Sequence, residues 1–459
     1  MTRGHTTRRL APVAASAALL AAALLAGASP ASAEISGGGG TGGPTTSTIP
    51  AAGYEAYIAA QSRIAALLPS RVRAQKALGT APGILVSDAG TGEVAYAAHS
   101  TTPMRGASTT KLMTAVTALA TMGTATRFPT TVLEGRRATE VVLRGGGDPM
   151  LTSAQLSSLA RTTAKALVGR APAVGAGTTF RVTVKVDDTL YPAPTPAVGW
   201  PSHYLPYVVA PVRPLIRDLR NSWDSAKDAG TYFASRLQVE LKAALAARTD
   251  LAVSSAYSGK MPAADGAATV AAFAGNTSGS ALRLMLLVSE NDVAEMLLRN
   301  SAVAEVGDGS WTAARANART TLNGLGIDTT GWVFDDGSGV SRTDRLTARG
   351  LVQLLRAAVS PDHPELAPLR GWLPVGGVSG TLKAANGRFT TYPTVCARGD
   401  VYAKTGTLFD TIGLAGYAEG SDGRLKTFAV LVHRSGETYS KLTVRRSVDR
   451  IAATATGCY

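Results

Sequence analysis

Apolar residues recur along this chain of 459 residues with two periods, and their alternation sets the expected elements. Helical spacing predicts a helix from about Tyr54 to Leu78. A hairpin follows, in which Gly83–Ser87 and Glu93–Tyr96 flank the turn Ala89-Gly-Thr-Gly92. From Leu112 to Met122 the run Leu-Met-Thr-Ala-Val-Thr-Ala-Leu-Ala-Thr-Met meets no Gly or Pro before Gly123, which predicts a buried helix opened by Ser108. Between about 131 and 290 strands and helices alternate. Strands are expected at Val141–Leu143 and Phe180–Val186, and an amphipathic helix around Thr231–Ala246. The last third predicts helices at about Asp292–Val303 and Ala348–Val359, strands at Thr411–Ala418 and Leu425–His433, and a closing helix at about Leu442–Ala455. No internal repeat is evident, and the middle of the chain reads as inserted material.

One apolar run fits none of these elements. Arg3, Arg8 and Arg9 precede Leu10 to about Ala28, and Ala31-Ser32-Ala33 ends the segment before Glu34. This is the layout of a cleavable secretory signal over 1–33. The run is also near the lower length limit for an uncleaved membrane anchor, which is the alternative; the small-residue site favours cleavage. Thr7-Arg8-Arg9-Leu10 matches a twin-arginine signal only in part, so the export route stays open. Residues 34–53 cannot bury a core, because Ser36-Gly-Gly-Gly-Gly-Thr-Gly-Gly-Pro44 and a Thr/Ser run to Pro50 make them a flexible linker. The expected organisation has 54–130 as the first part of one domain, 131–283 as inserted material and 284–459 as its second part. The expected location is outside the cytoplasm, in the cell wall or secreted.

Composition narrows this further. A hydrophobic share of 45% is enough for buried cores and excludes a globally disordered chain. With 46 Lys+Arg against 32 Asp+Glu the net charge is +14, which could attract nucleic acid, an anionic membrane or an acidic wall polymer. The basic residues are scattered, however, in pairs such as Arg136-Arg137 and Arg445-Arg446, with no interleaved aromatics. That pattern is a solvated basic surface, and it argues against a nucleic-acid partner. Cys396 and Cys458 are the two cysteines. In an exported chain with no His cluster nearby they read as a disulfide rather than a metal site, closing a loop of about 60 residues.

Ser108-Thr109-Thr110-Lys111 puts a hydroxyl and an ammonium on one face of a helix's first turn. A Lys desolvated near a second cation can lose its proton near neutral pH and take the hydroxyl proton as Ser attacks a carbonyl. Alone this spacing is weak, since an ordinary helix start gives it by chance. Ser289-Glu290-Asn291 lies at a junction behind the apolar Leu284–Val288, where Ser and Asn can project into a cleft or simply cap a helix. Lys404-Thr405-Gly406-Thr407 falls on the edge of a strand that begins Val401-Tyr-Ala. There Gly406 would admit a ligand's backbone, and Lys404 with two hydroxyls would form a carboxylate pocket. The three in this order within one exported chain are a far rarer conjunction than any one of them.

This triple resembles the set carried by penicillin-binding proteins and serine β-lactamases. Gly145-Gly-Gly-Asp-Pro149, Asp187, Trp200, Ala210-Pro-Val212, Asp336-Gly-Ser-Gly-Val-Ser-Arg342, Leu373-Pro-Val-Gly376, Gly380-Thr-Leu382 and Leu414-Ala-Gly-Tyr417 look like landmarks of one branch of it. That branch is the class C low-molecular-mass penicillin-binding proteins, the D-alanyl-D-alanine carboxypeptidase/endopeptidases, and the likeness runs from about residue 80 to the C-terminus. It implies an α/β (α+β) transpeptidase-like domain, an antiparallel sheet assembled from both ends of the chain and flanked by helices, with inserted material between Ser108 and Ser289. It also implies a reaction on peptidoglycan stem peptides without metal or cofactor, inhibited by β-lactams, and leaves peripheral association with the cell envelope open.

By motif position, Ser108 would be the acylated nucleophile, Lys111 its base and Ser289 the proton relay to the leaving D-alanine. Asn291 would hold the substrate amide, while Lys404, Thr405 and Thr407 would bind the terminal carboxylate. The backbone N–H groups of Ser108 and Thr407 would form the oxyanion hole. Asp187, or the adjacent Asp188, would meet the free amino end of a diaminopimelate side chain. Asp148 and Asp336 read first as turn residues. Two departures stand out: the stretch from Asp187 to Ser289 is shorter than in larger members, and His433 follows the last strand where another polar residue is usual.

Two other readings compete. A β-lactamase needs an added deacylating base, and no Glu-x-x-Leu-Asn segment supplies one. A non-catalytic wall sensor or binding protein would keep the cleft without needing an activated nucleophile.

Overall fold

The computed structural model describes residues 51–172, 177–434 and 440–459, so the expected signal and nearly all of the linker lie outside the described residues. Helix α1 (Ala51–Ala74) leads through a short turn to the hairpin β1 (Gly83–Asp88) and β2 (Val94–Ala98). A 3-10 turn, Ala107–Thr110, runs directly into α2 (Lys111–Met122). Next come β3 (Thr130–Glu134), β4 (Glu140–Arg144), α3 (Ser153–Leu167), β5 (Thr178–Asp187), α4 (Ser225–Ala244), β6 (Leu251–Lys260) and β7 (Thr269–Phe273). A run of helices follows: α5 (Ser278–Val288), α6 (Asn291–Val306), α7 (Trp311–Gly324), α8 (Ala348–Ala357) and α9 (Pro368–Trp372). The chain closes with β8 (Val401–Thr407), β9 (Thr411–Glu419), β10 (Leu425–His433) and α10 (Lys441–Thr456). Among the described residues no helix is long and apolar enough to cross a membrane.

The strands form two sheets. The first, in the order β2-β1-β10-β9-β8, is antiparallel throughout and joins the two ends of the chain, with Gly83 opposite Leu431. Successive side chains on a strand point to opposite faces, and here both faces are buried. Leu85, Ala429 and Leu431 meet the helical layer of α2, α5, α6, α7 and α8. Ile84, Val86, Phe428 and Val430 meet α1 and α10 instead. Such strands read as continuous apolar runs, which is why Phe428-Ala-Val-Leu-Val432 shows no polar alternation.

The second sheet, β6-β5-β4-β3-β7, is mixed: β4, β5 and β6 run parallel, while β3 pairs antiparallel with β4 and β7. Its core with α3 and α4 is separate, built on Val141, Phe180, Val184, Leu156 and Phe233.

Several boundaries differ from the sequence expectation. The first helix ends at Ala74 rather than Leu78. The helix expected at Thr231 begins at Ser225, where the Asp224 side chain accepts from Lys227 N. Helix α3 was not expected, although Thr152 and Gln155 form a reciprocal capping box at its start. Helix α7, capped by Ser310, was not expected either. In α2 only Ala120 and Thr121 escape full burial, so this helix anchors the nucleophile turn in the core. Burying side chains such as Leu112, Met113, Val116 and Leu119 contributes about 1.5–3 kcal/mol each.

Candidate active site

Ser108 lies in the 3-10 turn, ahead of α2 rather than inside it. The preceding Ala107 has φ 46°, a left-handed conformation uncommon for a residue with a side chain. Its surroundings enforce it: Gly339, at φ 82°, packs so closely that a Cβ there would lie 1.9 Å from the Ala107 carbonyl oxygen. Lys111 opens α2 on the same face, and its Nζ is 3.0 Å from Ser108 Oγ, 2.7 Å from Asn291 Oδ1 and 2.9 Å from the Ser338 carbonyl. Three donors on three acceptors leave this ammonium no freedom to turn away from the serine.

The second serine is held as tightly. Ser289 is the left-handed C-cap residue of α5, at φ 67°, and its side chain is turned away from the helix, with Oγ accepting from Lys404 Nζ at 2.7 Å. Asn291 begins α6, and its Nδ2 donates to the Val208 carbonyl at 2.6 Å while its Oδ1 serves Lys111. Ser289 caps α5 through its backbone alone and Asn291 follows the N-cap Glu290, so both side chains are left for the site.

Lys404 differs from the expectation of a carboxylate pocket. It is fully buried behind the cavity wall, with its ammonium on Ser289 and on the Thr405 carbonyl, 2.9 Å away. Gly406 is required for a reason internal to the protein: a Cβ there would stand 2.5 Å from the Gly106 carbonyl oxygen, so only glycine lets β8 lie against the nucleophile turn.

Burial sets the electrostatics. It lowers the Lys111 pKa from 10.5 to about 8, against the opposing charges of Glu295, Asp336, Glu290 and Asp292. Lys404 is driven well below its usual value by burial and by the positive charge of Lys111. Beneath Lys111, Glu295 is fully buried and accepts from Gly337 N at 2.7 Å and Ser338 N at 2.9 Å. Burial and Asp336 push the Glu295 carboxyl well up, and the same two causes raise Asp344. Asp336 is the turn residue expected from sequence, accepting from Gly339 N and Ser341 N, and also from the Trp200 indole at 2.7 Å.

A cavity of about 410 Å³ opens above the two serines, lined by Ser108, Ser289, Thr405 and Thr407. It is completed by Thr381, Asn386, Arg388 and Arg445, none of which the sequence reading assigned to a site. Thr381 lay within a landmark quoted only for resemblance, and it accepts from Thr405 Oγ1 at 2.8 Å. The others carried no signal, since Arg445 read as scattered surface charge. Asp187 is not brought here. Its carboxylate is taken by Arg144 Nε at 2.9 Å, Thr189 Oγ1 at 2.6 Å and Ala263 N at 3.0 Å, and it lines a different cavity of about 680 Å³. With Thr189 N as a fourth donor at 3.1 Å, a carboxylate so satisfied is a structural clamp. Asp148 is likewise structural, buried and bonded to Met150 N and Asn276 N. Cys396 and Cys458 are disulfide-bonded, tying the segment before β8 to the end of the chain.

Comparison with known proteins gives the family and the fold. A carboxypeptidase DacB of Mycolicibacterium smegmatis is 33% identical over 386 residues, which is 81% of this chain and 80% of that protein. A carboxypeptidase of Mycobacterium tuberculosis is 32% identical over 407 residues, 85% of this chain and 82% of its own length. The crystal structure of penicillin binding protein 4 (dacB) from Haemophilus influenzae superposes with a TM-score of 0.67 at 18% identity, over 83% of this chain and 97% of that one, so the fold is shared. The D-Ala-D-Ala carboxypeptidase 3 (S13) family matches residues 66–235 and 219–455, and the chain belongs to this family of serine D-Ala-D-Ala carboxypeptidases.

Proposed function

We propose that the chain hydrolyses the terminal D-Ala-D-Ala bond of peptidoglycan stem peptides, and D-Ala cross-links of like geometry, through an acyl-enzyme on Ser108. The observation that carries this is the 3.0 Å contact between Ser108 Oγ and a Lys111 amine whose pKa lies near 8, at the floor of an open cavity.

In its neutral form Lys111 takes the Oγ proton as Oγ bonds to the carbonyl carbon of the penultimate D-Ala. The oxyanion is received by the backbone N–H groups of Ser108 and Thr407, donors of a kind that supply about 3 kcal/mol or more each. When the tetrahedral centre collapses, the C–N bond breaks and the departing amine takes a proton through Ser289, whose hydroxyl is held by Lys404. Water then gives up a proton to the Lys111 amine as it attacks the acyl carbon, the bond from that carbon to Ser108 Oγ breaks, and Oγ takes the proton back from Lys111. In this reading Asn291, whose amide is bonded to Lys111 and Val208, also receives the substrate's amide.

A β-lactam presents an amide of the same geometry and would stop at the acyl stage. A second crystal structure of the Haemophilus influenzae protein holds such a compound. The run from Arg3 to Ala33 supports export to the compartment where the substrate lies.

The test is release of free D-alanine from a diacetylated Lys-D-Ala-D-Ala tripeptide by the mature chain. Release that disappears in Ser108→Ala supports the reading. No release by a folded wild type that still binds wall fragments favours a binding protein instead.

A further inference from the structure

A peptide ending in D-Ala carries a carboxylate on the carbon next to the scissile nitrogen. A site that selects such a peptide needs a cation facing the cavity, and neither lysine qualifies. Lys111 is fully buried and its donors are spent on Ser108, Asn291 and Ser338. Lys404 is fully buried, is spent on Ser289 and Thr405, and does not line the cavity.

Two arginines do line it. Arg388 donates through Nε and Nη2 to the two oxygens of Asp449, and both residues are buried, so this bidentate pair cancels its charge. Arg445 remains. It stands on α10, partly buried, with Nη2 3.4 Å from Thr407 Oγ1, and among the described residues it makes no ion pair. Arg446 beside it is exposed, so the Arg445-Arg446 pair divides between cavity and solvent.

We propose that Arg445 recognises the free carboxylate of the leaving residue, alongside the Thr407 hydroxyl, and thereby sets the enzyme's preference for leaving residues whose carboxylate is uncapped. The proposal rests on the peptidase reading above and refines it. It covers a terminal D-Ala and equally the D-configured leaving centre of a cross-link. A substrate of the same stereochemistry whose carboxylate is capped as an amide presents no anion to the guanidinium and reacts slowly. An arginine stays charged at every working pH, so the preference holds across the pH range of activity.

Matched peptides ending in D-Ala-D-Ala acid and D-Ala-D-Ala carboxamide test this with wild type, Arg445→Gln and Arg445→Lys, each checked for a native circular dichroism spectrum. Wild type is expected to favour the acid in kcat/KM by at least about tenfold. Arg445→Gln should reduce that acid-to-amide ratio about 10- to 100-fold, the scale of one charge-assisted hydrogen bond, and Arg445→Lys should restore part of it. An unchanged ratio in Arg445→Gln, or equal losses on both peptides, overturns the assignment. A wild type that turns over both peptides without preference overturns it too, and leaves the peptidase reading standing. A wild type that turns over neither takes both down together.

Discussion

Lys404 Nζ sits 2.7 Å from Ser289 Oγ across 115 positions of sequence, and this long-range pair mirrors the local pair of Lys111 and Ser108 at 3.0 Å. Each lysine is fully buried, and Lys111 holds down the proton affinity of Lys404. Two like charges buried near one another favour loss of a proton from the pair, so a neutral amine beside a serine hydroxyl becomes accessible near neutral pH.

Replacing Lys404 by Met removes the donor on Ser289 but leaves a shape the core accepts. The β-lactam acylation rate should fall at least about 100-fold, within the range assigned to a positioned proton-transfer group. Stability should hold or rise by about 1–4 kcal/mol, because the buried ammonium costs desolvation that Met does not. Stopped-flow acylation and urea unfolding read the two effects, and a parallel collapse of both would mean that Lys404 is simply needed to fold.

The Lys111 pKa of about 8 limits the reaction on its acid side. The neutral amine accepts the proton, so acylation should rise about tenfold per pH unit below 8 and level off above it. The same shift opposes folding. An unfolded lysine keeps its proton up to 10.5 and the folded one only up to about 8, so the unfolded state binds more protons in between and this group's contribution to stability rises with pH there. The stability advantage of Lys111→Met over wild type should therefore shrink by about 3 kcal/mol across that window. A flat acylation profile would remove Lys111 as the base.

Glu295 raises the Lys111 pKa and, through Gly337 and Ser338, holds the carbonyl that Lys111 also bonds. Glu295→Gln keeps the shape but can satisfy only one of the two N–H groups. It should cost about 1–3 kcal/mol of stability. With the opposing charge gone, the midpoint of the acylation profile should move below pH 8. A stability loss with an unmoved midpoint would confine Glu295 to a structural role.

The disulfide closes a loop with a sequence separation of 62, for which chain entropy gives about 4 kcal/mol. Changing Cys396 and Cys458 together to Ser should lower the unfolding free energy by an amount of that order, with acylation at 25 °C held within a few-fold. A large loss of acylation in a still-folded variant would show that the bridge also positions β8.

Much of this was legible in sequence for physical reasons that can be named. The continuous apolar run within Leu425–His433 and the uninterrupted apolar run after Lys111 each match their elements closely, because both faces of β10 and most of α2 are buried. The two Ser-containing motifs and the Thr residues of β8 meet in one cavity, as their order in the chain suggested. The electrostatic partners were not legible. Glu295 and Asp344 reach Lys111 and Asp336 only after α6 and the 336–344 turn have packed beneath α2. Lys404 looked like a ligand-facing cation, and only the packing of β8 against the end of α5 shows its ammonium buried on Ser289. Arg445 and Arg388 come to the site on α10 and a connecting segment with no motif around them, and the donors that take up Asp187 could be known only from the fold.

The most direct test of the account is acylation of the chain from Glu34 onward by a fluorescent penicillin beside Ser108→Ala, with peptide mapping of the adduct. The account predicts a stable label on the peptide containing Ser108 in wild type and none in the variant. A folded wild type that takes no label, or a label mapping elsewhere, would contradict it, and fast labelling followed by fast loss would point to β-lactamase turnover.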